Sequence, residues 1–389
     1  MELDELKKLV RTGQFGAITL DTSIFDSQGL KLESGLLKQL EQFRYSSTKL
    51  IISEIVKEEI LSHLTEKTKE AKREIEKSLR QARDYWQIEE HEIEEIKEII
   101  FIKREIQEIV TERFNQFAET TSLEVIEAQS YLIVSELIQK YFQSKPPFSE
   151  TGKKKNEFPD AIALISLETW ANKNKTKVIV VTSDNDWKNF CKSSEQLCAS
   201  DDFAGALGLF QLQDADDICR YLSEKYESGD IKNVKEAIFD ALEYKIDDFN
   251  IYSAEAESSY SYEEEITEIK VNGFQFKSIE LPNIIFRPVN FDDDSLTVES
   301  RLNVDVNVEC NFSFSVYDSI DKEDVGIGGN TVSTQANLEV EVLITFVGDL
   351  SKIGAEVEID DVEIEIKAPA SIDFGFVEPD WGDGDDDYY

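Results

Sequence analysis

Apolar residues in the first 225 positions recur at helical and strand spacings by turns, which predicts a unit of alternating helices and strands. Residues 2–12 carry the spacing of a short amphipathic helix, and 17–20 are a strand-forming run that stops at Asp21. A helical segment over 36–43 and a second strand over 50–52 follow, with Ser53 placed to cap the helix that starts there. Ile60, Leu64, Ala71, Ile75, Leu79, Ala82 and Trp86 keep mostly helical spacing, so that helix is long. Ile93, Ile96, Ile100, Ile106, Ile109 and Phe114 predict a second helix over about 89–117. Two long helices in succession imply an antiparallel hairpin projecting from a sheet. A short strand at 123–126, a helix at about 128–142 and an exposed loop at 144–157, with Pro146, Pro147 and Gly152, come next. Pro159 opens a helix that is almost wholly apolar over 161–167, and 177–182 reads as a buried parallel strand. A strand near 209–212 and a helix at about 214–226 close this unit.

The period changes after Ser228-Gly229. A linking helix covers 233–244, and from about Tyr260 apolar and polar residues alternate. Val304, Val306 and Val308 are interleaved with Asp305, Asn307 and Glu309. Val357 and Ile359 are followed, across Asp360-Asp361, by Val362, Ile364 and Ile366. Alternation of this kind predicts an antiparallel β-sandwich or barrel with one acidic face. The expected organisation is a first domain over 1–228 with a helical insertion at about 60–120. A linker over 229–255, a β-rich domain over 256–377 and an acidic tail over 378–389, expected to be disordered when unbound, complete it.

Charge sharpens that division. The chain of 389 residues has a formal net charge of −40. Residues 1–225 hold 31 Lys and Arg against 41 Asp and Glu, a net of −10, and 226–389 hold 10 against 40, a net of −30. A β domain so acidic repels nucleic acid from its own surface and attracts basic partners, although solubility alone also accounts for such a charge. Cys191, Cys198, Cys219 and Cys310 show no Cys-x-x-Cys spacing, and only His63 and His91 are present, which argues against structural zinc. The first residues, Met-Glu-Leu-Asp-Glu, are acidic where a signal peptide is basic, and no apolar run reaches the length of a membrane span. The expectation is a cytoplasmic protein without a membrane partner.

The candidate chemistry is carboxylate chemistry. Asp21 follows the first strand, Glu59 lies two turns into the helix after the second, Asp160 opens a buried helix, and Asp184 and Asp186 follow the strongest strand. Each also has a plain reading: Asp21 as a turn residue, Glu59 as a solvated helix acid, Asp160 and Asp186 as first-turn acids, Asp184 as an N-cap. If the elements form one parallel sheet, these acids meet at its carboxyl edge, where open α/β sheets bind ligands. Carboxylates crowded together repel and take up protons unless a divalent cation neutralises them. Hard oxygen ligands suit magnesium or manganese, and two such ions can hydrolyse a phosphodiester.

The order Leu-Asp-Thr-Ser, Ser-Glu-Ile-Val-Lys-Glu-Glu-Ile, Phe-Pro-Asp-Ala and Val-Thr-Ser-Asp-Asn-Asp-Trp resembles the PIN-domain nucleases over about residues 15–215. The resemblance implies an α/β/α sandwich around a parallel sheet and metal-dependent hydrolysis of RNA leaving a 5′-phosphate. Its acid cluster maps onto Asp21, Glu59, Asp160 and Asp184, with Asp186 an accessory ligand and Glu58 the rival of Glu59. The distance from Glu59 to Asp160 exceeds that of a compact PIN domain and matches a PIN-like group with a large helical insertion. Thr22 and Ser183 either orient the carboxylates or cap helices. Lys153, Lys154 and Lys155 either contact phosphates or belong to a solvated loop.

The leading functional expectation is a Mg²⁺- or Mn²⁺-dependent endoribonuclease acting on RNA, with DNA as the other candidate substrate. It is toxin-like or defence-related, and its acidic domain regulates it. The alternative is a PIN-like scaffold that recruits protein partners through the acidic β domain. Self-association into a homo-oligomer is compatible with either. A haloacid-dehalogenase-like phosphatase ranks below both, because Ser23 stands where its Asp-x-Asp motif needs a second acid.

Overall fold

The structure is a computed structural model that describes residues 3–101, 104–148, 157–211, 213–229, 233–246, 254–279, 284–292, 294–320, 322–350, 357–367 and 371–381. The chain divides into two units, Met1–Phe210 and Gln211–Tyr389. Lys153 to Lys155 and the end of the acidic tail, 382–389, lie outside the described residues.

The first unit runs α1 (Leu3–Arg11), β1 (Phe15–Leu20), α2 (Thr22–Ser27), α3 (Gly35–Lys38) with a 3-10 turn (Gln39–Phe43), and β2 (Lys49–Ser53). It continues with α4 (Glu54–Trp86), α5 (Glu90–Phe101), α6 (Ile106–Thr121), β3 (Glu124–Ile126), α7 (Ala128–Tyr131) and α8 (Val134–Gln143). It ends with α9 (Phe158–Asn174), β4 (Lys177–Val181), α10 (Asn185–Ser193), β5 (Leu197–Ser200) and α11 (Phe203–Gly208). The five strands form one parallel sheet in the order β3-β2-β1-β4-β5. Ile18, Leu20, Ile51, Ile52 and Val178 to Val181 are fully buried, as strands covered on both faces require. This is the α/β/α arrangement expected from the sequence.

The Ser53 side chain accepts the Val56 N–H and so caps α4. Ser53→Ala should cost about 1 kcal/mol of stability in denaturant unfolding. Only Val56, Ile60 and Leu64 of α4 are buried, so the rest of this 33-residue helix extends beyond the sheet and packs with α5 and α6. The expected single helix over 89–117 is two helices instead. Glu105, with φ −69° and ψ 139°, is extended and interrupts the hydrogen-bond ladder before α6. The expected helix over 128–142 is likewise split by extended Leu132 and Ile133. Phe148, in the segment expected to be an exposed loop, is buried between Tyr141 and Phe158. No strand forms over the described residues 209–211: Leu209 and Phe210 sit in a turn after α11, and Phe210 packs edge-on against Phe43. The last strand is β5, earlier in the chain.

The second unit contains α12 (Gln213–Glu227), α13 (Asn233–Lys245), β6 (Ala254–Glu257), β7 (Ser261–Lys277), β8 (Arg287–Phe291) and β9 (Ser295–Asp318). β10 (Glu323–Gly348), β11 (Val357–Lys367) and β12 (Ile372–Phe376) follow. An antiparallel sheet runs β11-β10-β9-β7 with β8 beside β9, and β12 and β6 form a small parallel pair. Leu302, Val304, Val306, Val308, Cys310, Phe312 and Phe314 alternate into its core while Asp305 and Ser313 face solvent. Asp360 is an extra residue: Thr345 pairs with Asp361 and Phe346 with Ile359. That bulge resets the phase of β11, which accounts for the break in alternation at Asp360-Asp361. α13 packs on both β7 and β11, the two ends of the strand order, so the sheet curls around its buried Val234, Ile238 and Leu242.

α12 belongs here, not to the first domain as the sequence suggested. Ala215, Ile218, Cys219 and Leu222 join the core of the β unit, and Ser223 Oγ accepts the Ile285 N–H. Among the described residues no helix is long and apolar enough to cross a membrane.

Candidate metal centre

The strand order reverses direction at β1: the chain steps outward through β2 and β3, then returns to the other side of β1 with β4 and β5. A crevice opens at such a switch point, beyond the carboxyl ends of the two central strands. Asp21 follows β1 there, and Thr182-Ser183-Asp184 follows β4.

Asp21 is only 6% exposed. Its Oδ2 accepts hydrogen bonds from Thr182 Oγ1 at 2.9 Å and Ser23 Oγ at 2.6 Å. Thr182 Oγ1 in turn accepts the Asp184 N–H, and Ser23 Oγ accepts the Ser183 N–H. These bonds tie the ends of β1 and β4 together through one carboxylate. Burial pushes the Asp21 carboxyl above its ordinary range, the hydroxyl donors oppose that, and the charge of Asp184 adds to it.

The other acids arrive from helices. Thr22 Oγ1 donates to Glu59 Oε2 at 2.5 Å, which turns Glu59 toward the rim. Glu58 points outward, with its side chain 69% exposed beside Lys57. Asp160 lies in the first turn of α9, and its Oδ1 accepts the Trp187 indole N–H at 2.8 Å. Its carboxyl is pushed up to about 6, first by burial and then by the charges of Asp184, Asp21 and Glu59. Asp160 therefore lies in the field of the other three acids, and Asp21 in that of Asp184. Asp184 caps α10, with Oδ1 accepting the N–H groups of Asp186 and Trp187, and its other oxygen takes no part in the cap. Asp186 is raised by burial and by the charges of Asp184 and Glu157.

Four residues take part whose roles the sequence does not announce: Glu157, buried at the mouth of α9; Trp187, the donor to Asp160; and Ser23 and Thr182, which orient Asp21. Of the two hydroxyl residues the sequence singled out, Thr22 orients Glu59, while Ser183 contributes its backbone N–H. A buried tryptophan beside a helix-start acid leaves no periodic signal. His63 is half-exposed on α4 and pairs with Asp26 at 2.9 Å.

Among the described residues no three His, Cys, Asp or Glu side chains are placed so that they could hold a metal ion together. The donor set is nevertheless all oxygen and strongly anionic, which fits a hard divalent cation. Mg²⁺ in particular keeps several waters and needs only one or two carboxylates.

Residues 18–187 match the family model described as PIN domain, a span that contains all five acids. No curated protein and no solved structure matches the chain.

Proposed function

Because residues 18–187 form a PIN domain, a family of nucleases, we propose that the protein is a Mg²⁺- or Mn²⁺-dependent endoribonuclease. The observation that supports this reading best is that the charges of Asp184, Asp21 and Glu59 all act on Asp160 at the carboxyl rim of the sheet, raising its pKa. Such a cluster is electrostatically unfavourable by itself, and perturbed acids in a cleft mark functional sites. A bound divalent cation would supply Lewis acidity and a water of lowered pKa.

The chain's own residues set the geometry. Asp21, buried and held by two hydroxyls, is the fixed anchor. Asp184 presents one oxygen to the crevice because its other is locked in the helix cap. Glu59 and Asp160 are aimed by Thr22 and Trp187, and Asp186 stands at the margin as an accessory ligand. The reaction adds the oxygen of water to phosphorus and breaks the bond to the 3′-oxygen, leaving a 5′-phosphate and a 3′-hydroxyl.

Incubation of total RNA with and without Mn²⁺, followed by mapping of the ends, tests the proposal, with single-stranded DNA as a parallel substrate. Metal-dependent internal cuts bearing 5′-phosphates are expected. Cuts that persist in chelator, or none with either ion, would overturn it.

A second reading, a scaffold that recruits partners, draws on the tip of the β9–β10 hairpin. There Tyr317 and Ile320 are 59% and 86% exposed beside Asp318, Glu323 and Asp324. Calorimetric titration with Mn²⁺ separates the two: the nuclease binds the ion and a scaffold has no need to.

A further inference from the structure

We propose that a groove along β5 and α10 is the track on which the phosphodiester backbone of a single-stranded polynucleotide runs up to the acid cluster. The inference rests on the nuclease reading above and extends it to how the substrate is held. β5 is the last strand of the sheet. A cavity of about 450 Å³ follows its whole length and is lined by Lys177, Lys188, Lys192 and Cys198, with Glu195 and Asp201 as its acids.

The topology gives this groove a direction. Asp184 caps α10 at the carboxyl rim, and Lys188 and Lys192 follow it at four-residue steps, about 6 Å each along a helix. Lys188 meets Asp201 at 3.0 Å, just beyond the carboxyl end of β5, so it marks the end near the acids. Lys177 opens β4 and marks the far end. Between them β5 spans about 13 Å, at roughly 3.3 Å per residue, which accommodates a few nucleotides.

Electrostatics requires a feature of this kind. A polyanion approaching five clustered acids on a chain of net charge −40 is repelled unless cations lie on its path. The helix that carries Asp184 supplies two of them. Three lysines outnumber the two acids of the groove. The Lys188–Asp201 pair leaves Asp201 70% exposed, so it is a weak surface pair that a phosphate can replace. Lys192 Nζ donates to the neutral amide oxygen of Asn189 and gives up little on rebinding. Lysine-to-phosphate contacts position a strand without reading its bases, so the track should accept mixed sequences.

The test uses the full chain with Asp21→Asn, which holds substrate uncut, and a fluorescent single-stranded RNA of mixed sequence, with anisotropy measured at several salt concentrations. Adding Lys177→Gln, Lys188→Gln and Lys192→Gln should raise Kd at least about tenfold and lower the slope of log K against log salt by about 2, near 0.7 per lysine. The Lys188→Gln and Lys192→Gln pair alone should lower it by about 1.4, which keeps the test open if the triple variant folds poorly. In the cleaving chain the same substitutions should raise KM and leave kcat. Lys49→Gln, at the start of β2, should change nothing. No RNA binding, or binding with unchanged Kd and slope, would overturn the track whether or not the protein cleaves. Lysine-dependent binding by a wild-type chain that never cleaves would instead remove the nuclease reading and leave the track standing.

Discussion

Replacing Asp21 and Asp184 together with asparagine should lower Mn²⁺-dependent RNA cleavage by more than about 100-fold. That figure is the upper range for losing one outer-shell partner of a metal ligand, and this variant changes two residues proposed as direct ligands. The fold should survive. Asparagine keeps an oxygen that can accept from Thr182 and Ser23 at position 21, and one that can cap the N–H groups of Asp186 and Trp187 at position 184. Initial rates on a labelled RNA, with Mn²⁺ affinity measured by calorimetry, should fall together. Unchanged cleavage would remove both residues from the reaction and return Asp21 to a turn and Asp184 to a cap.

The parts of this site legible in sequence were those tied to strong local signals. β1 and β4 are short apolar runs that stop at Asp21 and at Ser183-Asp184, and burial on both faces makes such runs continuous rather than alternating. Pro159 announced α9 and with it Asp160. The choice between Glu58 and Glu59 was not legible, because adjacent helical residues differ only in which way they face. In the fold Glu59 accepts a hydrogen bond from Thr22, 37 positions away, whereas Glu58 faces solvent. β5 was missed because Leu-Cys-Ala-Ser is short and mixed, while the apolar residues of α11 and its turn imitated a strand at 209–212. The breaks in the inserted helices follow from the backbone at Glu105 and at Leu132 and Ile133, which apolar spacing does not report. α12 packs into the core of the second unit, a placement that its apolar spacing alone does not report.

Asp160→Asn should stabilise the metal-free protein while abolishing cleavage. The unfolded carboxyl ionises around 3.8 and the folded one only near 6, so between these values the unfolded chain releases a proton that the folded chain keeps. Folding stability therefore falls as pH rises from about 4 to about 6, and stays lowered above that. At 1.36 kcal/mol per pH unit the full interval bounds the cost at about 3 kcal/mol, and partial solvent access reduces it to about 1–2 kcal/mol. Asparagine carries no charge to desolvate and still offers Oδ1 to the Trp187 N–H. In chelator at pH 7.5 the variant should melt higher by about 3–6 °C, and the difference should vanish near pH 4. Saturating Mn²⁺ should reverse the order, because the ion neutralises the wild-type cluster and stabilises only the form that binds it. A variant that melts lower than wild type in chelator at pH 7.5 would show that Asp160 is not held against the repulsion of its neighbours. A strained cluster relieved by metal should then be sought elsewhere on the rim.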